Sequence, residues 1–267
     1  MTYISSKDPY ILVVQPDDIF LSPREVEQPL GTMVCFHRRY ALGDKHDYSD
    51  NDDFLKQMFL NAVGNGESGE EKYDQLVGSL FDKYKDDPFT ALCEVENALL
   101  HSISEKYVML PLYLYDHSGL AMSTTDFNDR WDSGQVGWIY VSVEDMVKEL
   151  GDTLPDDVLR HNAEALLQSE VEIYDAYLRG ECYGYELYEN GELEDSCWGF
   201  IGELRDVCQT IKDSLPDECR DLVDQLEVME KPQSVIQTLL RHARIQVDQA
   251  EKDHKRDQQQ TISAEVR

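Results

Sequence analysis

The chain has 267 residues, 41% hydrophobic and 10% aromatic, enough apolar surface for a sizeable core and too much for a disordered chain. Its 54 Asp and Glu against 24 Lys and Arg give a formal charge of −30, which argues against direct contact with nucleic acid or an anionic membrane and favours basic partners. No apolar run approaches the roughly 18–20 residues of a membrane span, and the N-terminus lacks the basic start and apolar run of a secretory signal, so a cytoplasmic location is expected.

YILVVQ (10–15) and GTMVCFHRRY (31–40) read as strands separated by a proline-bearing connection. The aspartate-rich ALGDKHDYSDNDD after them is a loop running into a helix, in which Phe54, Leu55, Met58, Phe59 and Ala62 recur at helical spacing behind capping aspartates. NGESGEEK is expected as a flexible loop. Helices are predicted over 71–85 and 88–104, the second with an apolar stripe of Phe89, Leu92, Val95, Leu99 and Ile103.

VMLPLYLYDHSGLAMSTT predicts two strands about a DHSG turn, where Gly119 permits a positive φ and Asp116 can bond its own backbone. GQVGWIYVSV is a third strand leading into the short helix VEDMVKEL. TLPDDVLRHNAEALLQSEVEIYDAYLRG predicts a long helix, with Thr153 as cap, Pro155 in the first turn and Gly180 past the end. Its buried side would be Leu159, Ala163, Leu166, Leu167, Ile173, Tyr174 and Tyr177. CYGYELYENGELEDSCWGF is a hairpin turning at ENGE, and helices come next over 202–214, 216–229 and 233–256, cut by Leu-Pro and Lys-Pro.

The sum is an α+β fold, a mainly antiparallel sheet with surrounding helices. The expected division is a core domain over 1–201, a C-terminal helical region over 202–257 packed on it, and a frayed tail over 258–267. The six cysteines form no close pair and no zinc spacing and are read as free, buried thiols.

Polar groups concentrate in FHRRYALGDKHDY (36–48), YDHSG (115–119) and WDSGQVG (131–137). HRRYxLGDxH followed by YDHSG and WDSGQVGWIYV resembles a family encoded by phages and other mobile elements that has no assigned activity; the resemblance implies a genomic setting, that of a phage or mobile element acting in its host cell's cytoplasm, and no mechanism. The motifs supply a candidate binding set of His37, Arg38, Arg39, Asp44, His46, Asp116, His117, Ser118, Trp131, Asp132, Ser133 and Gln135. Two arginines can hold a carboxylate or phosphate, histidine beside aspartate can act as a general base, and Ser118 or Ser133 as a nucleophile. The competing reading is that Asp116 and Asp132 organise tight turns and the arginines offset nearby aspartates. No HExxH, EF-hand, G-x-G-x-x-G or Walker spacing occurs, so no metal and no cofactor are expected.

Over residues 151–230 there are 22 acidic residues against 5 basic ones, while Arg241, Arg244, Lys252, Lys255 and Arg256 cluster beyond 240. Asp217, Asp221 and Asp224 follow helical spacing and form a candidate acidic interaction surface. The leading expectation is a non-enzymatic acidic protein that binds and modulates a basic host protein, a nucleic-acid-binding or defence factor, in the manner of a DNA mimic. The alternatives are a small hydrolase or transferase using the HRRY, DHSG and WDSG motifs, or a phage protein with a purely structural role. The three motifs are expected to converge on one polar patch.

Overall fold

A computed structural model describes residues 1–26, 28–151 and 154–229. In chain order the elements are β1 (Tyr3–Lys7), β2 (Tyr10–Pro16), α1 (Pro23–Val26), β3 (Thr32–Cys35), α2 (Asn51–Val63), α3 (Glu67–Lys83), α4 (Pro88–Ile103), β4 (Tyr107–Asp116), β5 (Leu120–Ser123), β6 (Ser133–Ser142), α5 (Val143–Leu150), α6 (Asp156–Leu178), β7 (Cys182–Glu189), β8 (Glu192–Ile201), α7 (Leu204–Ser214), a 3-10 helix (Asp217–Gln225) and β9 (Glu227–Val228). The fold is α+β, with every strand pair antiparallel. The described residues form two compact units, one of Met1–Leu21 with the described chain from Gly180, the other within Ser22–Arg179. The boundary expected at 201/202 falls inside the first unit, because β1 and β2 from the N-terminus pair with strands that the sequence places far downstream. The helix expected over 233–256 and the tail lie outside the described residues.

In the first unit the sheet order is β8-β7-β2-β1-β9. The β7–β8 hairpin turns at Asn190 and Gly191, with φ of 51° and 83°, the left-handed pair that suits the twist of a two-residue hairpin. One face of this sheet, Leu12, Val14, Tyr185 and Leu187, packs against Val207 and Ile211 of α7 and Cys219 and Leu222 of the 3-10 helix. The segment after Pro216 is thus a 3-10 helix followed by β9, not the α-helix expected over 216–229. A three-residue turn stacks Cys219 directly under Leu222 and sends both into the core. It also breaks up the expected acidic stripe, since Asp221 and Asp224 align and Asp217 does not. Each carboxylate meets a base: Asp217 with Arg220 at 2.8 Å, Asp221 with Lys7 at 2.9 Å and Asp224 with Lys212 at 2.6 Å.

The second unit is built on the sheet β3-β6-β4-β5. Alternation of side chains along each strand divides the core into two layers. Met33, Cys35, Val108, Leu112, Ile139 and Val141 face Met146 of α5 and Leu159, Ala163, Leu167, Val171 and Tyr174 of α6. Val34, Trp138 and Tyr140 face Phe54, Met58 and Phe59 of α2 and Leu99 and Ile103 of α4. Each buried Val, Leu, Ile, Met or Phe among them contributes ~1.5–3 kcal/mol. At the start of α2, Asp50 accepts the Asp53 N–H at 2.9 Å, and Asn51 accepts the Trp138 indole N–H at 2.7 Å.

Several local expectations change. NGESGEEK is not a loop: Gly64 and Gly66, both at positive φ, reverse the chain, and α3 begins at Glu67. In α4 only the C-terminal half of the apolar stripe is buried, leaving Phe89 and Leu92 exposed. α6 begins at Asp156 behind Pro155, and the Thr153 cap lies outside the described residues; Gly180 comes after the helix with φ 71° as expected. All six cysteines are free, but Cys93 and Cys197 are exposed where burial was expected. Among the described residues no helix is long and apolar enough to cross a membrane.

Candidate functional site

The expected strand over 31–40 ends at Cys35 and gives way to a tightly held excursion. The His37 Nδ1 accepts the backbone N–H groups of Arg39 and Tyr40, both at 3.3 Å, which bends the chain, and its ring stacks on Tyr40 with centroids 5.0 Å apart. The chain returns at Gly43, whose φ of 68° lets it bridge to Val34, and the Asp44 N–H donates to the Met33 carbonyl at 2.7 Å.

Beneath this excursion lies a buried ion network that the motifs do not announce. Arg24, only 4% exposed at its side chain, donates Nε to Asp44 at 2.9 Å, Nη1 to Glu170 at 2.8 Å and Nη2 to the Gly31 carbonyl at 2.5 Å. Asp44 also accepts the Met33 N–H, and Glu170 accepts those of Leu30 and Gly31, so both carboxylates are well supplied with donors. Burial pulls the Arg24 pKa down, but the hydrogen bonds and charges of Asp44, then Glu170, more than reverse it and raise it above the usual value. The Tyr174 hydroxyl accepts the Gly43 N–H at 2.9 Å, tying the excursion to α6.

His46 closes the segment. Its Nε2 lies 3.0 Å from the Cys35 carbonyl, which can only accept, so that nitrogen carries the proton. Its Nδ1 is buried and has no hydrogen-bond partner among the described residues. A pocket of about 870 Å³ opens here, bounded by Cys35, the 37–46 excursion, Leu120, residues around Arg24, and Tyr174, Tyr177 and Leu178 of α6. Cys35 brings no nucleophile to it, because burial, then Asp44, pushes its thiol up to about 12.

The two turns meet one another and the edge of this segment. The Asp116 N–H donates to the Asp132 carbonyl at 2.8 Å, and His117 Nδ1 lies 3.2 Å from an Asp132 carboxylate oxygen. Arg39 pairs with the Asp116 carboxylate, which the Tyr40 hydroxyl also approaches at 3.5 Å. Arg39, Asp116, His117 and Asp132 are therefore neighbours, whereas Asp44 turns inward to Arg24. Arg38 is exposed and without an ion-pair partner among the described residues. Trp131 is 94% exposed, and Gln135 donates to the Gly137 carbonyl at 3.4 Å.

The turn chemistry differs from expectation in two places. In DHSG the left-handed residue is Ser118, with φ 56°, and not Gly119. The WDSG turn is organised by Asp129 rather than Asp132: its carboxylate accepts the N–H groups of Trp131 at 2.9 Å and Asp132 at 3.1 Å. These two bonds, helped by His117, lower the Asp129 pKa. Ser133 Oγ donates to the Asp129 carbonyl at 2.6 Å, which occupies its proton.

Arg24, Glu170 and Asp129 are the residues that motif reading missed. Glu170 had a signal: it stands three residues after Leu167 and four before Tyr174, an acid on the apolar stripe of α6. Among the described residues no group of three or more His, Cys, Asp or Glu is placed to hold a metal ion. Comparison with protein-family models, with curated proteins and with solved structures returned no match.

Proposed function

We propose that this is a non-enzymatic acidic protein of a phage or mobile element that binds and modulates a basic host protein, a nucleic-acid-binding or defence factor. The observation that carries the reading is β8. It is the end strand of the described five-stranded sheet, and residues 192–199 are all exposed. It bears Glu192, Glu194 and Asp195 beside the exposed apolar Leu193 and Trp198. An open strand edge invites pairing by another chain; carboxylates along it repel a second acidic copy and select a basic one. A basic extended segment can add to β8 through main-chain hydrogen bonds, with Trp198 as an anchor. In the narrower, DNA-mimic form of the proposal, the acidic surface occupies the partner's nucleic-acid groove.

The test is capture from host lysate on the immobilised full-length chain, then rebinding of the purified partner. A basic protein should be retained at low salt and released as salt rises, since exposed charges are screened within about 8 Å at physiological ionic strength. Glu192→Lys with Glu194→Lys should abolish retention, chiefly through slower association. Equal retention by that variant removes β8 from the proposal, and recovery of no basic protein at low salt removes the proposal itself. Competition by duplex DNA for the same partner separates the mimic form from binding elsewhere.

One contact favours a second reading, a hydrolase or transferase. The Asp132 carboxylate can orient His117 as a general base. The His117 side chain is 64% exposed, and an exposed pair of this kind is worth ~0–1 kcal/mol. His117→Ala should therefore leave the melting temperature almost unchanged. Loss of biological effect with partner binding retained would transfer the assignment to catalysis, and retention of the effect would leave the binder.

A further inference from the structure

We propose that the pocket beside the 37–46 excursion binds a small organic anion, its phosphate or carboxylate held by Arg39 and Lys45 and its body packed against Tyr177, Leu120 and Leu178. The inference is independent of partner binding at β8. In a chain with 54 acidic and 24 basic residues, this pocket is lined by Arg24, Arg39 and Lys45 against only Glu25 and Asp44. Arg24 and Asp44 are committed to one another in the buried network. Lys45 is exposed with no ion-pair partner among the described residues, and Arg39 engages Asp116 through a single nitrogen, leaving most of its donor fork open. Leaving two such cations at one concavity in so acidic a protein fits a ligand that supplies the missing negative charge.

The remaining walls describe the rest of the ligand. At about 870 Å³ the pocket is too large for a lone phosphate and lies within the ~300–1,000 Å³ range of small-molecule sites. Tyr177, backed by the buried Tyr174 with ring centroids 5.6 Å apart and an interplanar angle of 19°, lines this space with Leu120 and Leu178. This is a wall suited to a planar or apolar body. The cation-bearing segment is fixed from beneath by Arg24, Glu170 and the Tyr174 hydroxyl, so little ordering remains to oppose binding.

Isothermal titration of the full chain with adenosine 5′-monophosphate, adenosine, inorganic phosphate and benzoate tests this. Saturable one-to-one binding is expected for the monophosphate or for benzoate, and which of them binds tighter assigns the anion to phosphate or carboxylate. Adenosine and inorganic phosphate should each bind about tenfold or more weakly than the monophosphate if phosphate is the anion. Lys45→Gln, an exposed change that should leave the melting temperature intact, and Arg39→Gln should each weaken binding about tenfold. Absence of saturation by both the monophosphate and benzoate up to about 10 mM overturns the proposal. So does affinity unchanged in both variants.

Discussion

Arg24→Met should destabilise the protein by about 3–5 kcal/mol, the range for removing one partner of a buried ion pair. The side chain is almost fully buried, and its loss leaves two partly buried carboxylates, Asp44 and Glu170, without a counter-charge. Methionine roughly fills the volume, so the effect reports charge and hydrogen bonding rather than a cavity. The triple variant Arg24→Met, Asp44→Asn, Glu170→Gln provides the control. Both amides keep an oxygen to accept the N–H groups of Met33, Leu30 and Gly31, but neither leaves a buried charge. It should recover at least ~1 kcal/mol of what the single change loses. Urea denaturation of the three proteins checks this; a single variant within about 0.5 kcal/mol of the parent, the scatter of ordinary surface changes, would mean that the network does not hold the excursion.

That network also marks where the sequence stopped being informative. The fold class was legible because it rests on local periodicity: alternating residues in β4 and β6, and the helical spacing of α2 and α6, lie on the faces that are buried. The division of the chain was less so. β1 was not expected at all, and β2 pairs with β7 across some 170 intervening residues, a non-local pairing that no window of periodicity contains. The acidic stripe failed for a related reason: spacing alone assumes an α-helix, and the core contacts of Cys219 and Leu222 select a tighter turn. Among the motif residues, His37, Arg39, Asp44 and His46 line one pocket and Arg39 reaches Asp116, while the Asp44 carboxylate is taken up by Arg24, which no motif singled out.

Gly137→Ala should be nearly as costly, and it asks why WDSGQVG carries two glycines. β6 pairs with β3 so that Gly137 stands opposite Cys35. A Cβ built on Gly137 would lie 1.9 Å from the Val34 carbonyl oxygen and 2.9 Å from the Cys35 Cα, both backbone atoms that cannot swing aside. Accommodation would need β3 to move off β6. That strand feeds the excursion through Cys35 and Phe36, whose N–H donates to the Val136 carbonyl at 2.6 Å, so the pocket would shift with it. Overpacking of this kind is expected to cost about 3 kcal/mol, or roughly 10 °C in Tm for a unit of this size. Gly134→Ala is the matched control in the same motif, since its Cβ meets nothing within 4 Å and its φ is not positive. It should change Tm by no more than about 2 °C. Thermal melts of the two alanine variants therefore separate a glycine the strand pairing requires from one it tolerates. Equal melting temperatures for both would show that β3 can yield at Val34, and would remove the packing explanation for the motif.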